Sequence, residues 1–418
     1  MLACVTAALL ANGQHAGDDR GPGIRVTVPA DTTVLVTLRY ANSPGPQRVA
    51  AVSVVVDDET STHELLVFPT AAARDYQTVI GPLRSGTHTI RVAPSRFWPS
   101  AVSAIESVAA RIVSRADPDA ALLRFAPALW ARADTIGSSS DLPLVMYAES
   151  RASGPDATTL TYSVIFSNED GGTPARALMA RWGRLTDIEW VYTVRVKDGV
   201  AVDETFQSVN HDTRTFAGRH LGTHPMLTVA TLNNVFSDRG ESGVLFRPAP
   251  RRVDLTGATR ESVMDLEPWT YRVMIDEARD EGRIAPAGSR LDLALVRDLS
   301  SYVYLEARLT LRGTSVTAYV QDASGVWHAS DEGVRELAVA RDGWVRIAVP
   351  GGPDVRGVAW GCTPLADPAD SDRREAPSCR IEAVRAFRLE DRLVPGPNLI
   401  EPRVLQLEPG ELESIPMR

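Results

Sequence analysis

The sequence predicts a mainly β protein: several antiparallel β-sandwich domains joined by a short helical bridge. Two observations predict this class. First, short β-branched runs such as "IRVTV", "TTVLVTLRY", "RVAAVSVVV" and "THTIRV" alternate with clusters of Pro, Gly, Asp and Ser, the pattern of strands separated by turns. Second, "YVYLEARL" alternates strictly, as expected of a sheet with one wet face. The length of 418 residues exceeds what one hydrophobic core supports, so several domains are expected. Hydrophobic content of 44% and charged content of 23% are ordinary for a soluble globular chain.

The net charge of -9 argues against a nucleic-acid partner, which needs a basic patch, and against adsorption to anionic lipid by charge alone. No run approaches the roughly 18 apolar residues of a transmembrane segment. Residues 1–22 are expected to be an export signal remnant: "MLACVTAALLANGQHA" has an apolar stretch from Leu2 to Ala11 and a small-residue tail, though no positively charged start. Cys4 in "LAC" raises the related reading of an acylated lipoprotein. A secreted or cell-surface location follows, and an abundance of Ala, Val and Arg over Lys has the look of a high-GC bacterial coding bias.

Cys362 and Cys379 have sixteen residues between them and lie at strand edges in "VAWGC" and "SCRIEAVRAF". In an oxidising compartment a bridge closing that loop stabilises by about 3 kcal/mol; in the cytosol the two remain free thiols. No C-x-x-C pair is present, which excludes a thiolate zinc site.

Residues 23–98 read as strands throughout. Within them "VTLRYANS", "VSVVVDD", "DYQTV" and "SGTHTIRV" resemble the galactose-binding-like carbohydrate-binding modules of families six and thirty-five over about seventy residues. The resemblance implies a sugar site at the loop ends, with Tyr76 as its aromatic and with Tyr40 and Asn42 in the R-Y-A-N motif. Tyr40 also alternates with core positions, the reading of a structural residue.

Residues 99–119 are expected to form the helical bridge, because Val102, Ile105, Val108 and Ile112 recur at a spacing that places them on one helical face. "DAALLRFAPALWARA" then leads into a central β domain, residues 120–261. A C-terminal sandwich, residues 262–395, follows with strands expected at "TYRVMI", "SYVYLEARLTL", "SVTAYVQD", "GWVRIAV", "VRGVAW" and "CRIEAVRAFRLE". The Pro- and Glu-rich residues 396–418 are expected to be a loosely ordered tail.

The central domain carries an acidic cluster. In "TDIEWVYTVRV" Asp187 and Glu189 alternate to one face of a strand, roughly 6 to 7 Å apart at the backbone. A dry pair of like charges is costly unless a cation or hydrogen-bond donors sit between them. Three readings compete. The pair helps to bind calcium or magnesium, with further ligands from Glu169 and Asp170 in "SNEDGG" or His211 and Asp212 in "NHD". Alternatively the carboxyls, with Glu169 or Asp170, act as acid and base on a glycosidic bond. Or they form a solvated face paired with Arg184 or Arg195.

The succession "LLRFAPALW", "LTYSVIFSN", "TDIEWVYTVRV", "NHDT" and "THPMLTVATLNN" resembles the vacuolar-sorting-like family related to necrosis-inducing proteins over about 120 residues. The resemblance implies that Asp187 and Glu189 match a D-x-E that binds a divalent cation. Thr186 and Arg184 depart from that pattern, and Asn233 or Asn234 stands where the family has a late His. Zinc held by His211, His220 and His224 is another reading, but "HLGTH" has Leu221 where a zincin helix needs Glu, and Gly222 breaks a helix. His224 is expected to start a strand before Pro225, and His220 to lie in a loop. No G-x-S-x-G elbow, P-loop or dinucleotide-binding glycine pattern occurs.

Taken together these readings point to a secreted, modular protein that recognises a glycan or glycolipid and holds a divalent cation near Asp187 and Glu189. The alternatives are a polysaccharide hydrolase using Asp187, Glu189 and Asp170, and a structural surface protein with no ligand.

Overall fold

The chain's β-branched runs do become strands, and the structure, a computed structural model, is mainly β with several antiparallel sheets. It describes residues 21–41, 49–70, 72–169, 171–286, 289, 291–352, 354–367 and 376–418. The stretch 1–20 with Cys4, Asn42 of the expected sugar site, and Asp170 of the acidic cluster lie outside the described residues. No helix among the described residues is long and apolar enough to cross a membrane.

The chain forms two compact units, one from residues 1–171 and 187–254, the other from 172–186 and 255–418. In the first unit the expected boundary between residues 23–98 and 120–261 does not separate two sheets. One mixed sheet runs in spatial order Gly23–Val28, Gly86–Pro94, Ala50–Val56, His63–Val67, Leu245–Phe246, Ala128–Trp130, His224–Val229 and His220–Leu221. Short strands distant in sequence complete it, because Leu245 pairs with both His63 and Trp130.

The expected helical bridge is a strand. Residues Ile105–Ile112 pair antiparallel with Thr32–Tyr40, Leu38 opposite Val108, in a sheet whose other edge is Arg74–Leu83. The i, i+3 spacing that suggested a helix is outweighed by β-branched Ile105, Val108 and Ile112, which suit the pleat, and by an open ladder beside Thr32–Tyr40 that needs partners.

A third sheet of this unit runs Thr213–Thr215, Val200–Gln207, Asp187–Lys197, Ala157–Phe166, Pro143–Ala152 and Arg251–Arg252. Its middle strands bury Val164, Ile188, Val191 and Val194, and Tyr162 packs on Tyr192 with ring centroids 6.1 Å apart.

The second unit is a sandwich of two four-stranded layers. One runs Gly343–Pro350, Tyr302–Arg312, Ser378–Arg388 and Arg403–Leu407; the other runs Trp327–Ala329, Thr314–Asp322, Val355–Pro364 and Leu412–Ile415. Val303, Leu305, Val316, Val320, Ile347, Trp360 and Ile381 fill the space between them. Cys362 and Cys379 form the expected disulfide. Because Val355–Pro364 and Ser378–Arg388 belong to opposite layers, it ties one layer to the other.

Three expectations for this region fail in whole or in part, for physical reasons. "TYRVMI" is helical, within Trp269–Asp280: Tyr271, Met274, Ile275 and Ala278 are buried at i, i+3, i+4 and i+7, the stripe of an amphipathic helix. The Tyr302–Arg312 strand has a wet face only in its later half, where Arg308 is exposed, since Tyr302, Tyr304 and Glu306 earlier on that face are buried; Tyr271 of that helix reaches Tyr304, centroids 6.4 Å apart. The tail is paired rather than loose. Arg403–Leu407 and Leu412–Ile415 extend the two layers and bury Leu405, Leu407 and Ile415, so the alternation of "VLQL" decided the outcome over its Pro and Glu neighbours.

Candidate functional site

Asp187 begins its strand opposite Phe166, and the ladder continues with Glu189 opposite Val164. Two loops close over Asp187. The turn at Asp141 is fastened to the end of the Ala157–Phe166 strand, where Ser167 N–H donates to the Leu142 carbonyl and the Ser167 hydroxyl accepts from Leu142 N–H at 3.0 Å. The turn at residues 231–234 lies against residue 171. A Cβ on Gly171 would fall 2.3 Å from Asn233 Oδ1 and 2.7 Å from Leu232 Cβ, so only glycine allows that approach. Asp141 and Asn234 both have positive φ, 54° and 51°, a left-handed conformation that these two residue types tolerate better than most.

The result is a convergence of oxygens. Asn234 Nδ2 lies 3.2 Å from Asp187 Oδ2, 3.4 Å from Asp141 Oδ1 and 3.2 Å from the Asn168 carbonyl. These are long for N–H···O bonds, which cluster near 2.9 to 3.0 Å. Everything here is enclosed: Asn234 is 0% exposed and Asp187 2%, and Asp141 and Asn168 are buried with them. Asn234 Oδ1 has no hydrogen-bond partner among the described residues. Arg132 supplies positive charge from one side, donating to Asp141 Oδ2 at 2.8 Å and to the Thr231 carbonyl at 2.9 Å. Burial works against the guanidinium charge, but Asp134 and Asp141 bond it and hold its pKa above the usual value. Glu169 is buried next to this set, its N–H donating to Asn168 Oδ1.

Glu189 belongs to a separate cluster. Gln207 Nε2 donates to Glu189 Oε2 at 2.7 Å and lies 3.0 Å from His211 Nδ1, while Gln207 Oε1 is buried without a partner among the described residues. Asp212 is exposed and is bonded by the Ser208 hydroxyl and, at 3.0 Å, by Arg214; those bonds lower its pKa. The expected ligand set of Asp187, Glu189, Glu169, Asp170, His211 and Asp212 is therefore divided. Asp187 looks to Asp141 and Asn234, Glu189 and His211 to Gln207, and Asp212 to the surface. Among the described residues no group of three or more His, Cys, Asp or Glu has metal-holding spacing.

The zinc reading fails on geometry. His220 Nε2 meets Glu204 at 2.8 Å with its ring edge on Phe216, whereas His224 Nδ1 donates to the Ala126 carbonyl at 2.9 Å. Together with His211 they keep three separate sets of partners. His220 lies in the short strand His220–Leu221 rather than in a loop, and His224 begins its strand as expected. The solvated-face reading fails for Asp187, which is buried. Arg184 belongs to the second unit, where it bonds Glu261 at 3.1 Å, and Arg195 stands opposite Asp203.

Of the expected sugar residues of the N-terminal region, Tyr40 and Tyr76 are core. Tyr40 and Tyr76 are 4% and 7% exposed and pack edge to face, and the Tyr76 hydroxyl is bonded to both backbone groups of Phe68. Neither offers a ring face to a ligand.

Sequence reasoning missed Asp141, Asn168 and Arg132, which sit in turns with no periodic signal. Asn234 was signalled by its place at the late-His position of "TLNN". No protein-family model and no curated protein matches this chain.

Proposed function

We propose that the chain recognises an extracellular glycan or glycolipid, and that a hard divalent cation, calcium or magnesium, organises its first unit at Asp187. The observation that carries the cation is the meeting of Asp187, Asp141 and the Asn168 carbonyl on one buried amide whose own oxygen lacks a partner. The orientation of an amide is assigned from its hydrogen bonds. Turned over, Asn234 brings a fourth oxygen to the same point; oxygens that include two carboxylates are the donor type calcium and magnesium take, and at least two further oxygens would have to complete the coordination either ion needs. Two buried carboxylates converging on one amide repel each other, and a cation between them would relieve that repulsion.

Asp187, Asp141, Asn234 and the Asn168 carbonyl would hold the ion. It would supply charge compensation and pin the 231–234 turn to the strand ends. Glu189, His211 and Asp212 are occupied by Gln207, Ser208 and Arg214 and are left out of this set.

Recognition is favoured over hydrolysis. Asp187 is enclosed, and Asp187 and Glu189 are each held by a separate amide, whereas acid and base must both reach a glycosidic oxygen. The formed disulfide supports an oxidising compartment and hence the secreted or cell-surface reading.

Calcium, magnesium and zinc are titrated into EDTA-treated protein by calorimetry, with melting followed in parallel. Calcium or magnesium should raise the melting temperature, since about 2.7 kcal/mol is gained at a hundredfold excess over Kd. Asp187→Asn should abolish the response to calcium and magnesium. Absence of heat and of any melting shift with all three ions would refute the cation site. A glycan array that captures nothing would refute recognition.

A further inference from the structure

With Tyr40 and Tyr76 buried, a saccharide contact must lie elsewhere, and the second unit has a cleft of about 820 Å³ whose lining includes Trp327, His328, Asp322, Arg297 and Glu332. That volume is within the range of ligand pockets and roomy enough for roughly two or three pyranose rings.

The cleft is built on the hairpin between Thr314–Asp322 and Trp327–Ala329, in which Gln321 pairs with Trp327. Asp322 organises the turn. Its Oδ1 accepts from Ser324 N–H at 2.9 Å, Val326 N–H at 3.0 Å and the Ser324 hydroxyl at 2.6 Å, and its Oδ2 meets His328 Nε2 at 2.8 Å. Those bonds keep the carboxylate ionised well below the ordinary range. Glu332, in a left-handed conformation with φ 47°, is anchored by Arg176 of the same unit at 3.4 Å. The polar groups are thus fixed before any ligand arrives, which lowers the cost of binding.

Trp327 is 40% exposed, with an indole whose apolar surface meets water at the cleft. It reaches across Gln321 to Gly357 of the strand Val355–Pro364, where a Cβ would approach the ring tip to 3.1 Å. A bare glycine in mid-strand thereby makes room for the ring to lie against the sheet.

We infer that this cleft binds a neutral saccharide, one pyranose laying its C–H face on Trp327 while its hydroxyls bond Asp322, His328 and Glu332. This rests on the glycan-recognition reading above. Other ligand classes match less well. The lining carries Asp322, Glu332 and Asp354 against Arg297, which repels phosphate, sulfate and sialic acid. A quaternary ammonium calls for a cage of several Trp, Tyr or Phe faces, and among the described residues Trp327 is the one such ring in this lining. A pyranose, apolar on its faces and polar at its edges, complements a single indole ringed by oriented acceptors.

The test uses the full chain on an array of neutral gluco-, xylo-, manno- and galacto-oligosaccharides beside sialylated and sulfated ones, with fluorescence titration of each hit. Trp327→Ala should weaken binding at least tenfold without moving the melting temperature, and Trp327→Tyr should restore part of it. Asp322→Asn should also weaken binding, and EDTA should not. If the wild type binds neutral glycans and Trp327→Ala binds them equally, the cleft is overturned and glycan recognition stands. If the wild type binds only charged glycans, the neutral class is overturned. If it binds none, glycan recognition falls and the cleft proposal with it.

Discussion

His224 shows how one side chain couples this fold to pH. Burial first, then the nearby Arg247, lowers its pKa to about 3, and among the described residues only Nδ1 has a partner, the Ala126 carbonyl. An unfolded chain takes up a proton near pH 6.5, which the native state refuses until about 3. Stability from this group is therefore complete above pH 6.5 and is lost as pH falls towards 3, by up to about 1.4 kcal/mol per pH unit. Buried His63, also shifted downward, acts in the same direction. Urea midpoints measured at pH 8, 6, 5 and 4 should fall for the wild type. They should fall less steeply for His224→Asn, whose amide can still donate to Ala126; equal slopes would show that the imidazole is not responsible.

Among the elements of the second unit, Arg346 joins helices to sheet. It is 0% exposed on Gly343–Pro350 and donates to Glu306 of Tyr302–Arg312, to Asp265 of the helix Ser262–Leu266, and to the Tyr271 hydroxyl. Removing one partner of a buried ionic network strands the others, so Arg346→Ala should cost about 3 to 5 kcal/mol in urea unfolding. Arg346→Lys should recover only part, because an ammonium cannot reproduce the forked geometry. The helix Ala175–Trp182 approaches the same residue: at Gly183, φ 62°, a Cβ would come within 2.8 Å of Arg346 Cγ. Gly183→Ala should therefore destabilise both by conformation and by contact. Across the sandwich, replacing both Cys362 and Cys379 by Ala should cost about 3 kcal/mol under oxidising conditions, given their sequence separation of 17. The same pair should make dithiothreitol lower the wild-type melting temperature while leaving the double variant unmoved.

For the whole molecule, the order of the units along the chain matters. The chain leaves the first unit after residue 171, contributes 172–186 to the second, returns at Asp187, and leaves again at Leu255. Residues 255–418 alone would lack Arg176, which bonds the Asp331 and Glu332 carbonyls, and Arg184, the partner of buried Glu261. That fragment should melt lower, or aggregate, beside one in which 172–186 is tethered to it; identical melting curves would mean the inserted segment contributes nothing. The same layout explains the placement of Asp187, the first residue of the returning strand.

The sequence by itself determined the mainly β class and most of the individual strands from "IRVTV" to "CRIEAVRAF", "TYRVMI" excepted, because alternation, β-branching and turn residues act locally, and it marked Cys362 and Cys379 as a candidate pair. It could not show that Ile105–Ile112 is a strand. The spacing suits both periods, and the vacant ladder beside Thr32–Tyr40 lies some seventy positions away. Nor could it separate Asp187 from Glu189. Two carboxylates on one face of a strand look like a pair, and only the distant turns carrying Asp141, Asn234 and Gln207 assign them different partners. Long-range contacts decide burial, and burial decides that Tyr40 and Tyr76 are core while Trp327 is exposed. The tertiary structure alone therefore located the candidate sites.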